Sequence, residues 1–371
     1  MRHRVFLYFI LLFFFVSLIG GSVLSTYTQF VAEGPLEERT EVLIENGQSL
    51  RQIAHHLYAQ GIIASPTVFE IGVRATGKGT RIKAGEYSIP RHASMKMVAT
   101  LFINGETYVR RLVIPEGLTS KQVVASMEGM RGLIGTVSQI PKNGTLLPDT
   151  YHYSYGDTKE GMIERMKKAM EQTVQELWEK RDPSISLKTP KEAIVMASIV
   201  EKETAKDAER AHIASVFYNR MKKGIRLQSD PTVIFAATNG EVENKKTVSY
   251  KDLKTNHPYN TYVIYGLPVG PISNPGRASL EAVLHPDKTD DIYFVADGRG
   301  GHTFTKTYPE HQKNVKKWRQ YVRGQKKIKK DRKNFSIKLF FPKGNENRMF
   351  FLWEFLKFLD FFDILLYALS V

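Results

Sequence analysis

The sequence predicts a mixed α+β fold carried behind an N-terminal transmembrane helix. Three observations point there. Residues 5–24, VFLYFILLFFFVSLIGGSVL, form an uncharged apolar run. Compact units of strand, glycine turn and helix recur at 42–63 and 113–127. Beyond them, long amphipathic helix patterns give way near residue 224 to a turn-rich region that contains one short hairpin.

As a helix, the first run spans ~30 Å, about the thickness of a bilayer core. Arg2 and Arg4 precede it, so residues 1–4 are expected in the cytoplasm and the rest of the chain across the membrane. The run exceeds the roughly 7–15 apolar residues of a signal-peptide core, which favours an uncleaved anchor over 5–25 against cleavage among the small residues 22–25. Residues 26–40, with Gly34, Pro35 and three glutamates, read as a polar linker.

A small subdomain is expected over 41–112. VLIENGQSLRQIAHHLYAQGII (42–63) begins as a strand and turns at Asn46-Gly47. It then sets Leu50, Ile53, Ala54, Leu57 and Tyr58 at helical spacing, and Gly61 closes the helix. A helix near 66–76, a strand over 83–89 and a helix over 94–103 follow. This strand, turn, helix and returning strand resembles the LysM type of glycan-binding module; a subdomain that merely positions the rest fits the pattern equally.

The larger domain is expected over 113–322. In VIPEGLTSKQVVASM (113–127) a Pro-Glu-Gly turn leads to Thr119 or Ser120 as helix cap. From 157 to 181, Met162, Met166, Met170, Val174 and Leu177 share one stripe, an arrangement that core packing explains. Pro190 starts a helix, and a second one runs to about residue 222. Strands at 292–296 and 302–305 are joined by Asp297-Gly298-Arg299-Gly300-Gly301. Residues 323–371 read as a basic linker and an apolar tail, whose Glu354, Lys357, Asp360 and Asp363 form a drifting polar stripe suited to a helix lying in the membrane interface.

Composition removes several classes of function. The chain has 371 residues, enough for two domains, and no cysteine, so disulfides and thiolate chemistry are excluded. Its 53 Lys+Arg against 38 Asp+Glu give +15, but seven basic residues fall between Arg323 and Lys333, which argues against a nucleic-acid face. His55, His56, His285 and His302 lack the spacing of a metal site. Gly298 to Gly301 lacks the ending of a phosphate loop, and no serine stands in a nucleophile-elbow context. No cofactor is expected.

The chemistry concentrates in TPKEAIVMASIVEKETA (189–205). At 100° per residue, Glu203 continues the line of Met196, Ile199 and Val200, while Glu201 lies near Ile194 and Ala197. Both faces are apolar, so the helix is expected to be surrounded by protein. A glutamate at its end then loses water that would stabilise the anion, and its pKa rises from about 4.3 toward ~6–7, the range of a general acid for glycosidic cleavage. The bland alternative pairs one glutamate with Lys202 or Arg210 and sends the other to solvent. Downstream, Gln228-Ser229-Asp230-Pro231-Thr232, Tyr259-Asn260-Thr261-Tyr262 and GLPVGPISNPG (266–276) offer the aromatic faces, amides and hydroxyls that a sugar ring needs.

ASIVEKETA, NRMKKGIRLQSDPTVIF, YNTY, GLPVGPISNPG, HPDKTDDIYFVADGRGGHTF and LLPDTYHY are together similar to the endolytic murein transglycosylase, or YceG-like, family, over about residues 1–322. The resemblance implies non-hydrolytic cleavage between N-acetylmuramic acid and N-acetylglucosamine in nascent peptidoglycan, leaving 1,6-anhydro ends and ending strand growth. It implies Glu203 as the catalytic group, with Glu201 as fallback, and likens Glu203-Thr204 to the Glu-Ser signature of other lytic transglycosylases. Gln228, Tyr262 and Asn274 are the expected sugar contacts, and Asp230 is assigned to substrate binding or to holding the site loop. Glycan strands are the expected partner, along with membrane lipid at the anchor; an accompanying wall synthase stays open. The implied place is the plasma (inner) membrane, with the catalytic domain on its periplasmic side. A hydrolytic muramidase and a non-catalytic glycan-binding scaffold are the rival readings.

Overall fold

The computed structural model describes residues 2–77, 82–238, 240 and 247–340. The apolar tail of the sequence reading lies outside them. Two compact units are present, residues 1–290 and 291–371.

The first unit opens with helix α1 (Arg2–Val31), whose Phe6–Val31 stretch is long and apolar enough to cross a membrane. The architecture is mixed α+β. Strand β1 (Thr40–Ile44), helices α2 (Leu50–Ala59) and α3 (Pro66–Ala75), strand β2 (Gly85–Ile89) and helix α4 (Met95–Asn104) follow. β1 and β2 pair antiparallel with Val42 opposite Tyr87, both buried. Helices α2, α3 and α4 each have a side-chain cap: Ser49 closes a capping box with Gln52, Ser65 accepts from the Val68 amide, and Ser94 from that of Met97. Such caps typically contribute about 1 kcal/mol each. Alternate strand residues and one stripe of each helix meet in a core of Ile44, Leu57, Phe69, Tyr87 and Phe102.

The expected linker at 26–40 is not one. Residues 26–31 continue α1, and Phe30 and Leu36 are buried in this same core. Apolar side chains at those two positions gain more from burial than the polar residues around them gain from freedom.

A second core holds strand β3 (Arg110–Val113), helix α5 (Ser120–Ser126, capped by Thr119), strand β4 (Thr150–Tyr153) and the start of helix α6 (Lys159–Glu179). Met162, Met166 and Met170 are buried there or just beyond, as packing residues. Glu86 of β2, almost wholly buried, receives a bidentate pair from Arg110 of β3 at 2.8–3.0 Å and ties the two cores together.

Helices α7 (Pro190–Glu203), α8 (Asp207–Lys222), α9 (Asp230–Thr238), α10 (Tyr250–Leu253) and α11 (Arg277–Leu284) complete the unit. α7 packs against α6, α8, α9 and α11. In the second unit, strands β5 (Tyr293–Ala296) and β6 (His302–Thr305) form the expected hairpin with Phe294 opposite Phe304. Asp297 accepts the amides of Arg299 and Gly301, and Gly298 and Gly300 take positive φ. Helix α12 (Tyr308–Phe340) then continues through the basic segment from Arg323, where a linker is expected from the sequence.

Candidate active site

α7 is built as its sequence dictates. Thr189 caps it by accepting the Glu192 amide, and Pro190 occupies the first turn. Met196, Ile199 and Val200 on one side and Ala197 on the other are fully buried, so the helix runs through protein. It stops at Glu203 because Thr204 turns to extended backbone. The two glutamates therefore leave the last turn in different directions, into different surroundings.

Glu201 enters a charged network. Its carboxylate accepts from Arg210 of α8 at 3.3 Å and from the Gly276 amide at 3.0 Å, and its side chain is only 5% exposed. Arg210, also buried, reaches Glu116 of the Pro-Glu-Gly turn at 3.2 Å and pairs with Asp207. Loss of water and the neighbouring Glu201 push the Glu116 carboxyl above its ordinary range, and Arg210 opposes them. Gly276 is fixed by this packing: a Cβ there would lie 1.7 Å from a Glu116 oxygen. Lys202, between the two glutamates, donates to the Gly117 carbonyl at 3.2 Å.

Glu203 enters a pocket of hydroxyls. Its Oε1 accepts from Ser229 at 2.5 Å. Ser229 is buried and held from three sides. Its amide donates to Thr261 Oγ1 at 2.9 Å, its carbonyl accepts from Thr232 at 2.7 Å, and Thr232 and Thr261 share a hydrogen bond at 2.8 Å. Burial pushes the Glu203 carboxyl up to about 7 from 4.5; the Ser229 hydrogen bond pulls the other way, Asp230 adds to the rise and Arg220 opposes it. The guanidinium of Arg220 is anchored on the Leu227 carbonyl at 2.8 Å.

Around this carboxyl the structure gathers Gln228, Asp230 and Tyr262. Tyr262 donates to Asp230 at 2.6 Å, and its phenol is pushed above its ordinary value by burial and by that bond. Gln228 is exposed and adopts φ 50°, a left-handed conformation that is costly for a residue with a side chain; its amide donates to the Thr261 carbonyl at 3.1 Å.

Asn274 does not belong to this cluster. It is wholly buried, its Oδ1 accepts the amides of Gly144 and Leu146 at 2.8 and 3.1 Å, and its Nδ2 donates to the Leu118 carbonyl at 3.0 Å and to Ser120 at 3.2 Å. Every polar atom of the side chain is used inside the protein, so the sugar contact expected of it gives way to a clasp between three loops. Thr204 departs from expectation too. Its hydroxyl accepts the Lys206 amide at 3.0 Å and donates to Glu209 at 3.4 Å. The hydroxyl on Glu203 comes from Ser229 instead, which the sequence offers only as one polar residue of the loop between Gln228 and Asp230.

The loop 266–276 contributes Val269, Gly270 and Pro271 to a cavity of about 760 Å³ that also meets Lys142, Ile194 and Tyr259. Glu203 is not in its wall. Among the described residues no group of three or more His, Asp or Glu side chains is placed to hold a metal ion.

Residues 42–317 match the model of the YceG-like family. The chain belongs to the YceG-like family. A Bacillus subtilis (strain 168) protein named endolytic murein transglycosylase is 33% identical over 337 residues, 81% of this chain and 91% of that one. A Streptococcus pneumoniae (strain R6) protein of the same name is 26% identical over 318 residues, 73% of this YceG-like chain and 57% of its own length. Among solved structures, a YceG-like protein from Listeria monocytogenes is 31% identical, with a TM-score of 0.47 over 75% of this chain and 99% of that one.

Proposed function

We propose that this protein is a membrane-anchored endolytic murein transglycosylase in which Glu203 acts first as acid and then as base. The observation that carries the reading is a carboxyl that is pushed up to about 7 by loss of water and that keeps one hydroxyl donor, Ser229. Such a group holds a proton near neutrality and can give it up. It donates that proton to the oxygen bridging N-acetylmuramic acid and N-acetylglucosamine as the C1–O bond breaks. As a carboxylate it then takes the proton of the muramic C6 hydroxyl, whose oxygen closes on C1 to leave a 1,6-anhydro end. The bond broken and the bond formed balance without water, and the proton passes through one residue.

Asp230 supports this reading over a muramidase. A hydrolytic enzyme usually needs a second carboxylate for water or for a covalent intermediate, and here Asp230 is engaged by Tyr262. Its role is then to hold the loop beside the sugar, with Gln228 and Tyr262 as contacts. The antiparallel pair β1-β2 enclosing α2 and α3 supports a LysM-like glycan-binding role for the small subdomain. Arg2 and Arg4 before the apolar helix support a cytoplasmic N-terminus and a catalytic unit on the outer side of the membrane, where cleavage would end strand growth.

The test is product mass. Full-length protein in detergent, incubated with uncrosslinked glycan strands, is expected to release internal fragments with ends lighter by one water than reducing ends. Reducing ends would identify a muramidase, and strands bound but left intact would identify a scaffold.

A further inference from the structure

A groove of about 560 Å³ lies where the end of α1 meets α3 and α4. It is far in sequence from the glutamates and takes no part in the chemistry above. Its volume falls in the roughly 300–1,000 Å³ of small-molecule sites. We propose that this groove holds an acyl chain of an outer-leaflet phospholipid, with the lipid phosphate beside Lys96. The inference rests on the reading of α1 as an anchor and goes beyond it, because it places part of the folded subdomain on the lipid.

The position of the groove follows from helix length. Phe6–Val31 is 26 residues, ~39 Å of helix against a hydrocarbon core of ~30 Å. Its last turns therefore stand at the outer interface, and those turns supply Val23, Tyr27 and Phe30 to the groove. They are clamped there. A Cβ on Gly72 of α3 would lie 2.4 Å from the Phe30 ring, so the glycine is what lets α1 approach so closely. The groove thus opens at the level of lipid headgroups and not in bulk solvent.

The lining selects a lipid chain over a sugar. Ile71, Ala75, Ala99 and Ile103 line it from α3 and α4, and Ile71 and Tyr27 keep 48% and 57% of their surface exposed. Besides the Tyr27 phenol, four serine and threonine hydroxyls line it, and each is turned back onto its own helix or helix end. Ser22 donates to the Leu18 carbonyl, Thr26 to that of Ser22, Thr76 to that of Val73 and Thr100 to that of Lys96, at 2.6–2.9 Å. Turned back in this way, a serine or threonine hydroxyl is satisfied without an outside partner, so an apolar neighbour leaves its donor paired. A glycan would find few free donors and acceptors among mostly aliphatic and aromatic groups, whereas a hydrocarbon chain needs none. Lys96 is the one charged residue in the lining among the described residues, and it is exposed, which suits the phosphate of a lipid whose tail lies in the groove.

The absence of cysteine makes the test clean, since one introduced thiol labels one position. Full-length Ile103→Cys (groove), Phe14→Cys (anchor) and Tyr250→Cys (exposed control) are each spin-labelled in vesicles of phosphatidylglycerol and phosphatidylethanolamine. Collision with oxygen and with a water-soluble nickel chelate is then compared. The label at 103 is expected to favour oxygen as the label at 14 does, and that at 250 to favour nickel. If 103 behaves like 250 while 14 stays in lipid, the groove proposal is overturned and the anchor stands; if 14 also meets nickel freely, the anchor reading fails with it. A benzophenone on the same thiol at 103 is expected to add the mass of one phospholipid, with a yield reduced at least about fivefold by Lys96→Glu. An adduct with a glycan-linked lipid or with protein, or a yield indifferent to Lys96→Glu, would overturn the assignment.

Discussion

Glu201 and Glu203 are two residues apart on one helix, yet their surroundings differ in kind. Glu201 meets a buried arginine and a backbone amide, within a network that also holds Glu116 and Asp207. Glu203 meets a serine hydroxyl backed by two threonines, with the charges of Asp230 and Arg220 acting on it in opposite directions. The arginine and the Gly276 amide occupy the oxygens of the first carboxylate. The hydroxyl can serve the second in either state, donating to the anion or accepting from the acid. One helix end thus carries an ion-paired carboxylate and, on the proposed reading, a proton carrier, distinguished by what other segments bring to them.

The largest effect should come from exchanging the carboxyls singly for amides. Glu203→Gln is expected to lower turnover of glycan strands by roughly 10²–10⁴, the usual share of a general acid or base. Glu201→Gln should keep most of the rate in whatever fraction stays folded. A well-folded Glu201→Gln protein without activity would reverse the assignment.

Next in size is stability. Arg210→Ala leaves Glu201 buried beside Glu116 without their cation, and a loss of about 3–5 kcal/mol is expected in denaturant unfolding. A change below 1 kcal/mol, on the scale of roughly a surface pair, would show that the network is not what holds this end of the helix.

The pH dependence of stability separates the two sites further. The folded pKa of Glu203 lies above its unfolded value, so folding binds the proton more tightly. The stabilising effect is complete below about 4.5 and is lost as pH rises through about 7. Glu203→Gln has no such loss. It should therefore be more stable than the parent by about 3 kcal/mol at pH 8, with the gap closing as the pH falls toward 4.5. A constant gap across that range would argue that the carboxyl is well hydrated.

The smallest and sharpest change is Ser229→Ala. The serine hydrogen bond holds the Glu203 pKa down, so its removal should raise that pKa. The alkaline limb of kcat/KM, expected to fall above about pH 7 in the parent, should move upward by about one unit, the worth of one charge-assisted hydrogen bond. An unmoved limb with a lower rate would make Ser229 a packing residue only.

Much of the fold was legible because it is written locally. Pro190 as a helix start and the line from Met196 through Val200 to Glu203 can be read from the local sequence, and that line singles out Glu203 before any partner is known. The hairpin at 293–305 was legible from its glycines. Three features were not. Asn274 sits among turn residues that look exposed, and only the meeting of three loops buries it. Ser229 reads as one polar residue among several, and its value comes from Glu203, 26 residues away. The end of α1 reads as the start of a linker, because nothing near Phe30 in sequence announces the core it enters.

The sequence by itself determined which residues face which way along each element: the membrane run, the apolar stripes, the caps and the end of α7 at an acidic pair. Side-chain period and capping are properties of a few neighbouring residues, so no distant contact is needed to set them. The tertiary structure alone decided which glutamate is paired with Arg210 and which meets the Ser229 hydroxyl, because a carboxyl's proton affinity depends on water and charge brought within a few ångströms by remote segments.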